Sequence, residues 1–168
     1  MEFVQKRVLI TGSTRGIGQA LAKRFLSEGA IVAINGRSVE GVNDSIRSLG
    51  NSRKLHAAPG DVSTVCGCKN VVASAIETFG GLDILINNAG TYPIASIEDT
   101  DEELWDSTVN ANVKSTFFCS RAALAALRDA TGVTINHSSI AGLMGFANIS
   151  AYCTSKAAVA NLTRSMAM

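Results

Sequence analysis

The chain is 168 residues long, 46% apolar and 17% charged, with fifteen Lys and Arg against fourteen Asp and Glu for a formal charge of +1. That length suits one domain with a real core, and that composition excludes a disordered or low-complexity chain. Balanced charge without a run of one sign excludes a general nucleic-acid surface, and no apolar run approaches the roughly 20 residues that span a bilayer.

In chain order, residues 7–10 read as a short apolar strand running into Thr11-Gly12-Ser13-Thr14-Arg15-Gly16-Ile17-Gly18. Ile17, Ala20, Leu21 and Phe25 then recur at helical spacing up to Gly29, a plausible stop. Strand, glycine-rich turn and helix make a nucleotide-binding arrangement: glycines let the backbone approach a diphosphate, and the helix start offers unpaired N–H groups. The spacing is Gly-x-x-x-Gly-x-Gly, not the commoner Gly-x-Gly-x-x-Gly.

Residues 30–34 form a second strand, followed by Asn35-Gly36-Arg37-Ser38. An acid at this strand end would hold ribose hydroxyls and select NAD, whereas an arginine accepts a 2′-phosphate. No Asp or Glu stands at positions 34–37, and Arg37 and Arg15 supply two guanidiniums, so NADP(H) is expected over NAD(H). A helix over 39–49 and a third strand over 54–58 lead to Gly60-Asp61-Val62-Ser63, with Ser63 as N-cap of a helix over 65–79. Asp61 stands either against an adenine edge or as a turn acid.

Residues 82–86 are apolar almost throughout, as in a strand covered on both faces, and end in Asn87-Asn88-Ala89-Gly90. An acidic helix over 98–104 follows, then a longer one over 110–128 with Val113, Phe117, Ala122 or Leu124, and Leu127 as candidate buried positions. A fifth strand over 133–136 reaches Ser138-Ser139, and a last helix carries Tyr152 and Lys156 towards Met168. Strands alternating with helices predict an α/β fold, a three-layer, doubly wound, Rossmann-like parallel sheet.

Tyr152 and Lys156, four residues apart, share one helix face. A phenol is a poor acid or base near neutral pH, with a reference pKa of about 10, and a neighbouring ammonium favours its ionised form. The pair is a candidate proton donor and its partner. Cys66, Cys68, Cys119 and Cys153 read as isolated reduced thiols, since Cys-x-Cys without a second pair or a nearby histidine is not a zinc pattern. His56 and His137 lack ligand spacing, so no metal is expected. The first residues lack a signal-peptide pattern, and the chain is expected to be soluble and cytoplasmic.

Four signatures in order and spacing make the chain resemble the short-chain dehydrogenase/reductase family: Thr11 to Gly18, Asn87 to Gly90, Asn112, and Ser139 with Tyr152-x-x-x-Lys156. The resemblance runs from position 6 to position 168 and looks most like the 3-oxoacyl-acyl-carrier-protein reductases and related ketone and sugar reductases. It implies an NADP(H)-dependent oxidoreductase acting on a small-molecule carbonyl or secondary alcohol. Tyr152 would be general acid and base, Ser139 would hydrogen-bond the substrate oxygen, and Lys156 would hold the nicotinamide ribose. Asn112 would hold a water linking Lys156 to solvent. Gly12, Ser13, Arg15, Gly16, Ile17, Gly18, Arg37, Asp61, Val62, Asn88, Ala89 and Gly90, with Tyr152 and Lys156, would line the cofactor site.

The resemblance also implies a homodimer or homotetramer packed through the helices over 110–128 and 152–168. Family members usually run to roughly 250 residues, a size compatible with one α/β domain. The expectation is therefore a single NAD(P)-binding Rossmann domain over 1–168 that is C-terminally incomplete, lacking the family's last strands and substrate lid. The alternative to an active enzyme is a catalytically impaired dinucleotide-binding fragment or non-catalytic partner subunit.

Overall fold

In the computed structural model, which describes residues 1–168, the sheet is organised around β1 (Arg7–Ile10). Val8, Leu9 and Ile10 are fully buried, so this strand has no solvent face. It pairs in parallel with β2 (Ile31–Ile34) on one side and β4 (Ile84–Asn87) on the other, Leu9 lying opposite both Ala33 and Leu85. β3 (Leu55–Ala57) extends the sheet beyond β2, and β5 (Val133–Asn136) extends it beyond β4. The order is β3-β2-β1-β4-β5, all parallel. This is the expected doubly wound sheet, and the order reverses between β1 and β4, where such folds open their binding crevice.

Alternating side chains split the core in two. Val8, Ile10, Val32, Ile34, Ile84 and Ile86 pack with Ala22 and Phe25 of α1 (Gly16–Ser27) and Val42 of α2 (Val39–Ser48). Leu9, Ala33 and Leu85 pack on the other face with α3 (Val65–Phe79) and α5 (Ser115–Asp129). Each fully buried Val, Leu or Ile contributes about 1.5–3 kcal/mol relative to exposure. Below the sheet, Arg7 N and Nε donate to Asp83 Oδ2 at 2.9 and 2.6 Å, holding that carboxyl below the usual carboxylate range. β5 is an edge strand whose Val133 and Ile135 remain exposed.

Several local expectations change. Thr64, not Ser63, caps α3, its Oγ1 accepting from Gly67 N at 3.0 Å. The acidic helix, α4 (Glu102–Val109), starts later than expected because Asp101 is its N-cap, accepting from Leu104 N at 2.8 Å. The long helix is two segments, a π-helical stretch (Asn110–Lys114) and then α5. The wide turn shifts the helical phase of α5, so Phe117 and Leu124 face solvent while Thr116, Cys119, Ser120, Ala123 and Leu127 are buried. Cys68 and Cys119 are free thiols buried in the core between α3 and α5, the Cys68 thiol donating to Val62 O at 3.0 Å.

Candidate active site

The larger cleft, about 1050 Å³, opens at the carboxyl ends of β1, β2 and β4. The first hydrogen bond of α1 runs from Gln19 N to Arg15 O, leaving the N–H groups of residues 16–18 without an intrahelical partner. Gly16 has φ +58°, and a Cβ there would meet nothing within 4 Å, because that side of the turn is open cleft. Gly18 is required for a different reason: a Cβ would lie 2.5 Å from Asn88 Nδ2 and 2.6 Å from Gly12 O. Free N–H groups facing a roomy cleft, with Arg15 and Arg37 in its wall, fit the diphosphate and phosphate groups of a dinucleotide. Neither arginine is paired with a carboxylate.

Two polar residues, the buried Asn35 and the half-buried Asn88, fix this turn. Asn35 Oδ1 accepts from Gly12 N at 3.0 Å, and its Nδ2 donates to Ala58 O at 2.8 Å and Gly60 O at 3.2 Å. Asn88 Nδ2 donates to Thr11 O at 2.9 Å and Gly12 O at 3.0 Å, while Thr11 Oγ1 accepts from the N–H groups of Asn88 and Ala89, each at 3.0 Å. The glycine turn and the end of β4 are thus one rigid floor.

A second cavity, about 440 Å³, shares Ile17, Asn88, Gly90 and Thr91 with the cleft and adds Tyr92, His137, Ser138, Tyr152 and Lys156. Tyr152 and Lys156 come from α6 (Ser150–Met166), the Lys156 ammonium lying 5.7 Å from the Tyr152 ring centroid. Lys156 is buried, which pushes its pKa down, and its Nζ donates to the His137 carbonyl at 2.7 Å. Ser138 Oγ donates to the Lys156 carbonyl at 2.8 Å. Tyr92 stacks edge-on against Tyr152 at 4.7 Å, on a loop tied to the start of α6 by Ala95 N donating to Asn148 O at 2.8 Å. The arrangement offers a phenol, an ammonium and a hydroxyl beside a dinucleotide-sized cleft, the groups needed to move a proton while charge changes on an oxygen.

Of the residues singled out from the sequence, Gly12, Arg15, Gly16, Ile17, Gly18, Arg37, Asp61, Val62, Asn88, Ala89 and Gly90 all line the cleft, and Tyr152 and Lys156 line the cavity. Three do not form these walls. Ser13 is fully buried, its Oγ donating to Ile10 O at 2.7 Å and accepting from Asn35 N at 2.9 Å; Thr14 faces the cleft instead. Ser139 caps the short helical turn Ile140–Gly142, its Oγ accepting from Ala141 N at 3.1 Å, while Ser138 forms the cavity wall. Asn112 is buried, its Oδ1 accepting from Thr91 N at 2.8 Å and its Nδ2 donating to Thr91 O at 3.1 Å and Ser155 Oγ at 2.9 Å. Its side chain therefore braces the Thr91 loop against α6. Asp61 Oδ1 accepts from Ser63 N at 2.9 Å, so it also serves its turn.

Sequence reasoning missed Thr11, Asn35, Tyr92 and His137. Asn35 carries a signal, a polar residue ending an apolar strand beside a glycine turn, but a strand end of this kind is read first for an acid.

Comparison with known proteins agrees with this geometry. Residues 6–168 match the family model described as short chain dehydrogenase. An uncharacterized oxidoreductase of Thermotoga maritima is 42% identical over 172 residues, covering 100% of this chain and 67% of that protein. Meso-2,3-butanediol dehydrogenase of Serratia marcescens is 36% identical over 168 residues, covering 100% of this chain and 66% of the enzyme. The crystal structure of a short chain dehydrogenase from Mycobacterium smegmatis superposes with a TM-score of 0.93 at 31% identity, covering 99% of this chain and 71% of that one. The chain spans about two thirds of the length of the curated relatives it matches.

Proposed function

The chain belongs to the short-chain dehydrogenase family, and from that premise we propose that it is an NADP(H)-dependent oxidoreductase interconverting a carbonyl and a secondary alcohol, with Tyr152 as general acid and base. The observation that carries this reading is the cavity in which Tyr152 and Lys156 meet the glycine-turn cleft through shared walls. The family binds a nicotinamide dinucleotide, and that group, when bound, supplies or accepts the hydride.

In carbonyl reduction the Tyr152 hydroxyl gives its proton to the carbonyl oxygen as hydride adds to carbon, and alcohol oxidation reverses both transfers. The Lys156 ammonium supports negative charge on the phenol oxygen and is available to ribose hydroxyls. Ser139 is proposed as the donor to the substrate oxygen: the Ser138 proton is already given to the Lys156 carbonyl, whereas Ser139 Oγ only accepts, from Ala141 N. Asn112 is proposed to act from its π-helical segment, where its side chain fixes the Thr91 loop against α6.

Preference for NADP(H) is supported by Arg15 and Arg37, both in the cleft wall and unpaired, and by Asn35 standing where an acid would select NAD. The substrate class is a ketone or its alcohol. Two relatives are named for butanediol and galactitol, so hydroxy ketones belong in the test panel beside simple ketones and 3-oxoacyl thioesters. A homo-oligomer is proposed through α5, where Phe117 and Leu124, seven residues apart, share an exposed helix face. Sedimentation at a monomer's rate at all concentrations would rule that out.

NADPH oxidation across the panel tests the catalytic reading. Turnover is expected with at least one ketone, and Tyr152→Phe is expected to reduce it by about 10²–10⁴-fold while leaving NADPH binding intact. NADPH binding without turnover on any substrate would favour a non-catalytic dinucleotide-binding role instead.

A further inference from the structure

The His137 side chain has no part in the chemistry proposed above, yet the residue lines the cavity with Tyr152 and Lys156. Its Nδ1 lies 3.0 Å from Asn88 Oδ1. Because Asn88 Nδ2 is committed to donating to Thr11 O and Gly12 O, Asn88 Oδ1 is the acceptor and Nδ1 carries the imidazole proton. Nε2 has no hydrogen-bond partner and is not enclosed, so its lone pair is free to take a proton. A second proton on this ring must therefore arrive at Nε2, on a residue that lines the cavity.

Burial, and after it the Lys156 charge, push the His137 pKa below the ordinary histidine value of 6.5, so the ring is neutral at pH 7 and gains its second proton only at a pH below that of an ordinary histidine. The titratable groups lining the cavity with it are Lys156 and Tyr152 from α6 and Tyr92 from the loop after β4. Asn88, Gly90 and Thr91 beyond β4, Ile17 of α1 and Ser138 beyond β5 bring no charge, and no carboxylate lines the cavity. A protonated His137 would thus be a second, uncompensated cation beside the Lys156 ammonium.

We propose that His137 is an electrostatic selector of the cofactor's redox state: neutral, it accepts either form, and protonated, it disfavours the oxidised form. The inference rests on the reading that this cavity receives the nicotinamide end of the dinucleotide. The oxidised ring carries a positive charge and the reduced ring does not, so an added cation repels one form only. Linkage makes the effect reciprocal: bound oxidised cofactor must lower the proton affinity of His137 by the same factor. Falling pH then shifts the site towards holding reduced cofactor, the form that carbonyl reduction consumes.

Titration of the whole chain with NADP⁺ and with NADPH, from about pH 8 to about pH 5.5, reads this directly. The ratio of the two dissociation constants, oxidised over reduced, is expected to rise on the order of threefold to tenfold over that range, and to stay flat in His137→Asn. Asparagine keeps an N–H for Asn88 and does not titrate. The cofactor's 2′-phosphate titrates in the same range, but it is common to both redox forms and cancels in the ratio. His56 packs edge-on against Phe79 on β3 and is retained in the variant, so it serves as the internal control.

If the variant does not fold, NMR titration of the wild-type histidines supplies the answer: the His137 midpoint should be lower with oxidised than with reduced cofactor bound, and equal midpoints overturn the proposal. Binding of both forms with a pH-independent ratio, or an equal rise in His137→Asn, overturns this inference alone. Binding of neither form near pH 8 overturns the dehydrogenase reading and this inference with it.

Discussion

At the scale of single residues, what matters is which polar atoms remain free. Ser138 and Ser139 are adjacent and chemically identical, yet one hydroxyl proton is spent on the Lys156 carbonyl and the other is not. That difference is invisible in the sequence, where only spacing to Tyr152 separates them. Arg37 presents the converse case, because the composition of positions 34–37 already points to a phosphate site and the structure leaves its guanidinium unpaired in the cleft. Arg37→Ala is expected to weaken NADPH binding by on the order of tenfold, ~1.4 kcal/mol, while NADH changes by less than about twofold. Equal losses measured by fluorescence titration would remove the case for a 2′-phosphate contact. His137 also sets a pH dependence of stability. Its folded pKa lies below the unfolded value, so the unfolded chain binds more protons, and this contribution to stability falls as pH drops below about 6.5 towards the folded pKa.

At the scale of elements, sequence pattern locates the five strands and the six α-helices but not their phase, caps or the short irregular helical turns. The helix over 65–79 is legible, yet the pattern points to Ser63 as its N-cap, and Thr64 makes the bond. Two hydroxyl residues in a row are equivalent to any pattern rule; only the backbone turn decides which one reaches Gly67 N. Thr64→Ala is expected to cost about 1 kcal/mol and lower Tm by about 2–4 °C in a cooperative melt, whereas Ser63→Ala should stay within about 0.5 kcal/mol. A larger loss from Ser63→Ala than from Thr64→Ala would contradict the assignment. The π-helical stretch before α5 escapes pattern reading for a related reason. Nothing in Asn110-Ala111-Asn112-Val113-Lys114 announces a wide turn, which reflects the tertiary demand to seat Asn112 between Thr91 and Ser155. Its effect on phase explains why Phe117, expected in the core, faces solvent.

For the molecule as a whole, the sheet order puts the glycine turn after β1 and the Asn88 turn after β4 side by side at the point where the winding reverses. Runs such as Val8-Leu9-Ile10 and Ile84-Leu85-Ile86 declare a parallel sheet covered on both faces, so this layer of the architecture is readable from sequence alone. The long-range polar ties are not, because hydrogen bonds such as Asn35 to Gly12 and Asn88 to Thr11 join residues far apart in sequence. Those ties hold the cleft rigid against the cavity, and the proposed hydride path runs across their junction.

The central claim is hydride transfer across that junction with proton transfer by Tyr152. Reduction of a reactive ketone with NADPH deuterated at the transferring position of the nicotinamide, followed by mass spectrometry of the alcohol, tests it most directly. The account predicts one deuterium on the carbinol carbon with the wild-type chain and product near background with Tyr152→Phe. Unlabelled alcohol, or labelled alcohol formed by Tyr152→Phe at the wild-type rate, would contradict it.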